Sequence, residues 1–458
     1  MIPNVRDYQA DMIERARAQL RQHRSVLVQS PTGSGKTVLS AFMAGSATTK
    51  GLKVAFLVHR RELIKQTAAT YSEVGIPYGI VSSGITGDRH KPVQICGIQT
   101  LVKRLDYFNH FDLIIVDEAH HATASMYATV LDAYPKAKVV GLSATPERLD
   151  GAGLSKYFQS MVDGPKVSWL IESGYLSKFR LYAPSQPDLT GVHMLGGDYN
   201  RKELESAVVR PGLVGDAVTH YSKLAQGKRA MVFCVSIKHS LSVVERFQAG
   251  GYRAAHIDGT MDQFVRDALI ADFVSGRIQV LSSVDLVSEG FDLPAMEVAI
   301  LLRPTKSLSL YLQQVGRALR ISPGKDEAII LDHAGNAMTH GLPDDDRTWS
   351  LDGRKKRKRV KDDDDPAVPV KQCPDCSHVH RPAPECPRCG HEYPTLGRTV
   401  EELEGELQEV ERARVKQEQR QEQSKARSLE DLVKLGIARK YKNPHFWAKR
   451  VHESRKGS

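Results

Sequence analysis

Two short stretches of this chain hold residue types at spacings that could do chemistry. In the first, Pro31-Thr32-Gly33-Ser34-Gly35-Lys36-Thr37 follows the apolar run Ser25-Val26-Leu27-Val28 and precedes Val38-Leu39-Ser40-Ala41-Phe42. A strand that enters a glycine-rich turn and leaves as a helix aims successive backbone N–H groups and the helix N-terminus at one point, which suits an anion. The spacing is that of a phosphate loop: Thr32, Gly33, Ser34 and Gly35 would wrap a triphosphate, Lys36 would neutralise its β- and γ-phosphates, and the Thr37 hydroxyl would ligate Mg²⁺. In the second, Phe111-Asp112-Leu113-Ile114-Ile115-Val116 reads as a buried parallel strand ending in Asp117-Glu118-Ala119-His120. Carboxylates at that end of a central strand can complete such a site, Asp117 by holding the Mg²⁺ shell and Glu118 by orienting and deprotonating an attacking water. Together the two stretches imply a centre built to hydrolyse ATP.

A third group stands apart. Cys373-Pro374-Asp375-Cys376 and Cys386-Pro387-Arg388-Cys389 form two knuckles whose four thiolates suit one tetrahedral Zn²⁺. Disulfides are the alternative, and they conflict with a cytoplasmic ATPase, whose surroundings keep thiols reduced. His378, His380 and His391 are expected as neighbours of that site, not ligands. The other two cysteines, Cys96 and Cys234, sit in apolar strand-like contexts and are expected in the core.

These groups need rigid elements to hold them, and at 458 residues the chain is too long for one core. Apolar strand-like runs alternate with helical stretches at Val54 to Val58, Val93 to Ile98, Leu113 to Val116 and Val139 to Leu142. The alternation resumes at Ala230 to Val235, Arg253 to Ile257, Ile278 to Ser282, Val298 to Leu302 and Ala328 to Leu331. It predicts an α/β fold with two tandem doubly wound parallel-sheet domains, residues 1–165 and 211–342, joined by a Gly-, Pro- and Ser-rich connection over 166–210. Opposite charge blocks over 343–370 read as a solvated linker, 371–394 as a zinc ribbon, and 395–458 as a charged helical tail. Thr399 and Glu402 are placed to cap that tail, and its end interleaves cations with Phe446 and Trp447, suiting either a nucleic-acid contact or a small helical core. A net charge of +10 favours a polyanionic partner, although charge alone fits an acidic membrane surface or a basic tail equally well. No apolar run approaches the ~20 residues a bilayer requires, and the N-terminus lacks a signal-peptide layout, so a cytoplasmic location without membrane contact is expected.

From about residue 6 to 320 the chain resembles a superfamily 2 helicase or translocase of DEAH-box type. The resemblance rests on the two stretches above with Arg6-Asp7-Tyr8-Gln9, Leu57 to Leu63, Gly97 to Leu101, Ser143-Ala144-Thr145-Pro146, Val232 to Ser236, Val284 to Asp292 and Gln313-Gln314-Val315-Gly316-Arg317-Ala318-Leu319-Arg320. It implies two RecA-like domains sharing one ATP across a cleft. Gln9 would then read the adenine edge, and Arg61, Thr100 and Ser283 would contact phosphates of one nucleic-acid strand. Ser143 and Thr145 would couple the ATP site to that groove, and Gly290 and Asp292 would sense nucleotide and closure. Arg317 and Arg320 would reach across the cleft to the transition-state charge, which the first domain meets only with Lys36. With Gln314 and Leu319 where many relatives carry arginine and glycine, the last motif is nearer to DNA-repair and restriction-type translocases. The zinc ribbon and tail add a resemblance to bacterial and phage RadD-like helicases. It implies an ATP-dependent DNA motor in repair, recombination or phage replication, in a bacterial or phage-infected cell. Single-stranded or branched DNA would be its partner, with a single-strand-binding or repair protein held through the ribbon or tail. An ATP-switched clamp or annealing factor, an RNA helicase and the motor subunit of a restriction complex are the competing readings.

Overall fold

The structure is a computed structural model that describes residues 5–120, 124–147, 153–184, 187–208, 211–284, 296–352 and 369–393. Beyond these it describes 426, 428–438, 444–445, 448–449 and 451–452. In chain order the first sheet uses β1 (Ser25–Gln29), β2 (Val54–Val58), β3 (Tyr78–Val81), β4 (Val93–Gly97), β5 (Leu113–Val116), β6 (Lys138–Ser143) and β7 (Ser160–Val162). Its helices are α1 (Asp7–Gln22), α2 (Lys36–Thr48), α3 (Arg61–Glu73), α4 (Ile98–Leu101) and α5 (Ala124–Ala133). There follow α6 (Val167–Glu172), β8 (Lys178–Tyr182), a hairpin of β9 (Met194–Leu195) and β10 (Asp198–Tyr199), α7 (Arg201–Val208) and α8 (Pro211–Ala225). The second alternation runs β11 (Ala230–Phe233), α9 (Ile237–Ala249), β12 (Ala254–Asp258), α10 (Gln263–Val274), β13 (Val280–Val284), β14 (Val298–Leu301), α11 (Leu308–Ala318), β15 (Glu327–Asp332) and α12 (Asn336–His340).

Two parallel sheets result, ordered β3-β4-β2-β5-β6-β1-β7 and β12-β13-β11-β14-β15-β8. Strands such as Val54-Ala55-Phe56-Leu57-Val58 and Ala230-Met231-Val232-Phe233 are buried along their whole length, as a parallel sheet covered on both faces demands. Because every ladder is parallel, all strand C-terminal ends of a sheet open on one edge, and there the loops can converge on a ligand. Cys96 and Cys234 are buried core residues, as expected. Among the described residues no helix is long and apolar enough to cross a membrane.

Two expectations need correction. The 166–210 stretch is more than a connection, since β8 pairs with β15 from Lys178↔Glu327 to Leu331↔Tyr182 and forms the edge of the second sheet. Its short Lys-Phe-Arg-Leu-Tyr pattern was masked by the turn-forming residues around it. The start of the 343–370 stretch is likewise no solvated linker. Asp345 is buried, its carboxylate accepting from the Leu342 N–H at 2.7 Å and pairing with Arg381 at 3.1 Å. The Arg347 guanidinium donates to the carbonyls of His340, Leu342, Pro343 and Asp345. This strap returns to the first domain, where the Leu351 carbonyl accepts from Leu154 and Ser155 N–H groups at 2.7 and 2.9 Å. Residues 353–368 and the cap at Thr399 and Glu402 lie outside the described residues, as do Phe446 and Trp447.

The cysteine knuckles carry a two-stranded hairpin of β16 (Lys371–Gln372) and β17 (Val379–His380), which docks on the free edge of β8. Ala183 N–H donates to the Ser377 carbonyl at 3.0 Å, and His378 Nδ1 donates to the Leu181 carbonyl at 3.0 Å. An otherwise open strand edge is thereby covered. Beyond the ribbon, the described residues of a second unit include the helix Leu429–Ala438.

Candidate ATP site and metal centre

β1 delivers the phosphate loop and α2 leaves it, with Gly33 and Gly35 at φ 85° and 86°, a conformation that side chains with a Cβ resist. Ser34 Oγ donates to the Pro31 carbonyl at 2.6 Å and fixes the turn. Lys36 Nζ lies 3.3 Å from Glu118 Oε1 and donates to the Ser30 carbonyl at 3.5 Å, so the two halves read separately from sequence meet at one ion pair. Asp117 accepts the Glu118 N–H at 3.0 Å. Burial and the adjacent Glu118 carboxylate raise Asp117 to about 6 against the opposing pull of Lys36. A carboxylate disfavoured as an anion in this way fits a divalent cation, which would restore its charge. Asp117 and Thr37 would hold Mg²⁺ here, and the ion would screen phosphate charge and orient the triphosphate.

Behind these carboxylates lies a buried hydrogen-bond chain. Ser143 Oγ donates to the Thr145 carbonyl at 2.6 Å, so it must accept from His120 Nδ1 at 2.8 Å. With the proton on Nδ1, the other ring nitrogen, Nε2, can accept from Gln313 Nε2 on α11 at 3.3 Å. His120 Nδ1 also lies 3.5 Å from Glu118 Oε2. Thr145 Oγ1 donates to Ser309 Oγ, also on α11, at 2.7 Å. The first domain's catalytic edge is thus bonded twice to the helix that carries Arg317. Sequence reasoning assigned no role to His120, Gln313 or Ser309; the first two sit in the quoted motifs, which was the available signal, and Ser309 lies four residues before the last of them.

α11 approaches the loop closely. A Cβ on Gly316 would lie 2.6 Å from Thr32 Cβ, and one on Gly33 would lie 3.5 Å from Arg320 Cγ, so Arg320, just past the end of α11, rests against the phosphate loop, and Arg317 is buried on α11 itself. Gln9 is near but committed: its Nε2 donates to the Ser34 carbonyl at 3.1 Å and its Oε1 accepts the Arg6 N–H at 3.0 Å, so it braces the loop.

Thr100 is half-buried on α4. Ser283 is a correction: it is buried in β13 and its hydroxyl donates to the Val232 carbonyl at 3.4 Å, out of reach of a phosphate. The Arg61 side chain, Gly290 and Asp292 lie outside the described residues.

Cys373, Cys376, Cys386 and Cys389 bring their sulfurs within 4.8 Å of one another, with 3.6 Å between Cys373 and Cys389 and 3.8 Å between Cys376 and Cys386. Tetrahedral ligands at ~2.3 Å from a zinc ion stand about 3.8 Å apart, whereas a disulfide needs ~2.05 Å. The donor set therefore fits Zn²⁺. His391 Nδ1 instead bonds Asp375 at 2.7 Å, and His378 bonds β8, consistent with neighbours.

Residues 2–148 match the family described as "Type III restriction enzyme, res subunit", and residues 214–322 match "Helicase conserved C-terminal domain", so each half of the cleft falls in one of them. The chain belongs to the superfamily 2 helicases. As such it is a helicase-type ATPase. This superfamily 2 chain is 37% identical to a "51.5 kDa protein" of a Lactococcus phage, over 77% of this chain and 74% of that one. It is 30% identical to the "Putative ATP-dependent helicase IRC3" of Saccharomyces cerevisiae over 73% of this chain, and spans about half, 52%, of that relative. Its fold matches the fragment structure of a "putative HsdR subunit of a type I restriction enzyme" from Vibrio vulnificus at a TM-score of 0.59, with 20% identity, covering 76% of this chain and 67% of that one.

Proposed function

We propose that this helicase-type ATPase is a DEAH-box DNA translocase of RadD-like character, remodelling single-stranded or branched DNA in repair, recombination or phage replication in a bacterial or phage-infected cytoplasm. The observation that carries the reading is the pair of cross-cleft bonds, His120 to Gln313 and Thr145 to Ser309, which link the phosphate-binding edge to α11. A bond that exists only when the cleft is closed converts nucleotide state into domain movement. In this reading residues 1–165 and 211–342 are the two motor domains, with β8 added to the second, and a C-terminal ribbon and tail follow. Lys36, Glu118 and Asp117 bind and activate, and Arg317 and Arg320 complete the charge around the γ-phosphate. Gln9 would turn from the loop to the adenine, while Arg61 and Thr100 would grip phosphates. The match of residues 2–148 to the restriction-enzyme res-subunit family supports DNA as the track. It also favours one second reading, the motor subunit of a larger DNA-processing complex.

ATP hydrolysis should be measured with no nucleic acid, single-stranded DNA, forked DNA and RNA, with Lys36→Ala as control. DNA-selective stimulation that the control abolishes is expected. Equal or greater stimulation by RNA would overturn the DNA assignment, and stimulation without translocation or strand displacement would make the chain a clamp.

A further inference from the structure

The last carbonyls of a helix have no partner within it and carry the negative end of its dipole. α11, the helix that carries Arg317 and leads into Arg320, meets that deficit in an unusual way. The Lys325 ammonium donates to the carbonyls of Ala318, of Arg320 at 2.7 Å and of Met296 at 3.1 Å. An ammonium has three N–H donors, and all three are engaged by backbone. From the opposite side Ser177 N–H donates to the Leu319 carbonyl at 2.7 Å, and Ser177 Oγ donates to the Arg320 carbonyl at 3.3 Å. Leu176 beside it lies 3.0 Å from where a Gly33 Cβ would stand, so the same brace touches the phosphate loop.

We propose that Lys325 is a positioning residue: it fixes the C-terminal end of α11 and thereby sets where Arg317 and Arg320 present their guanidinium groups to the phosphates. The inference rests on the reading of that arginine pair as cross-cleft phosphate ligands. A neutral amine keeps two N–H donors for three carbonyls and no charge to answer the helix dipole, so the brace requires the ammonium. Its charged surroundings are Glu297 and, more weakly, Lys228, which pair with each other at 3.4 Å. Burial, opposed by Glu297, lowers Lys325 from the ordinary lysine range to about 8.

The test is kcat and KM for DNA-stimulated ATP hydrolysis, from about pH 7 to about pH 9.5, in wild type, Lys325→Met, Lys325→Arg and Arg320→Ala, with thermal unfolding followed alongside. Lys325→Met is expected to lower kcat about 10-fold or more with KM for ATP changed less than about 2-fold, because misplaced arginines lose transition-state contact before ground-state binding. Wild-type kcat should fall as pH rises through about 8, while Lys325→Arg, whose guanidinium stays charged, should hold a flat profile. A merely structural lysine would lower stability without giving a pH-dependent kcat that arginine removes. If Lys325→Met fails to fold, the paired profiles of wild type and Lys325→Arg decide. Identical profiles in those two proteins, or wild-type kcat in folded Lys325→Met, would overturn the proposal. Arg320→Ala at wild-type kcat would refute the arginine reading and this proposal with it, whereas impaired Arg320→Ala beside unimpaired Lys325→Met would refute this proposal alone.

Discussion

Thr145→Val should uncouple the two domains while leaving the phosphate loop intact. Valine keeps the shape of threonine and removes only the hydroxyl that donates to Ser309 across the cleft at 2.7 Å. Both residues are buried, Thr145 at 1% and Ser309 at 7% exposure, so the loss leaves the Ser309 hydroxyl without its donor where water cannot replace it. Stranding a buried hydroxyl costs about 1–3 kcal/mol. At about 1.4 kcal/mol per decade, the closed arrangement weakens by about 5- to 150-fold relative to the open one, in which both hydroxyls reach water. DNA-stimulated ATP turnover should fall within that range, while nucleotide binding to the isolated loop should change little. A double-mutant cycle with Ser309→Ala isolates the bond: if the pair acts through it, the double variant is no slower than the slower single variant. Additivity of the two single effects to within about 0.3–0.5 kcal/mol, or wild-type turnover in Thr145→Val, would refute the reasoning.

Gly316→Ala should slow turnover with little effect on stability, because the added Cβ meets Thr32 Cβ at 2.6 Å and pushes α11 off the loop. A displacement of ~1 Å costs on the order of 10²-fold in rate, which steady-state kinetics will read. Cys386→Ser, or a strong chelator on the wild type, should remove the one bound zinc expected of a four-thiolate site and lower the unfolding temperature, as the ribbon covers the β8 edge; metal analysis and calorimetry check both. His239 is fully buried and burial lowers it to about 4, so the unfolded chain binds more protons than the folded one between about pH 4 and pH 6.5. Its contribution to stability is therefore fully present above pH 6.5 and is lost as pH falls toward 4. His239→Leu should narrow the gap in urea midpoint between pH 7.5 and pH 5 relative to wild type, and an unchanged gap would refute the assignment.

What the sequence determined by itself is whatever is encoded over a few consecutive residues. The turn from Pro31 to Thr37 needs its own glycines and its own helix start, the Asp117-Glu118 pair needs only the strand that precedes it, and each cysteine knuckle closes on itself. The alternation of fully apolar runs likewise implied parallel sheets, since a strand buried on both faces must be apolar on both. Local pattern could not reveal contacts between residues far apart in the chain. Thr145 meets Ser309 and His120 meets Gln313 only because two sheets present their edges to one cleft. β8 was obscured because an edge strand lacks the long apolar run of a central one, and β15, its partner, lies far downstream. The strap at 343–352 was misread because charge was taken for solvation, whereas the Asp345 carboxylate and Arg347 guanidinium find buried partners. Ser283 was misplaced for the converse reason: a serine in a motif looks available until its strand is known to be central and both its faces covered. Whether a polar side chain faces a ligand or a carbonyl is decided by what packs around it, and only the tertiary structure supplies that neighbour.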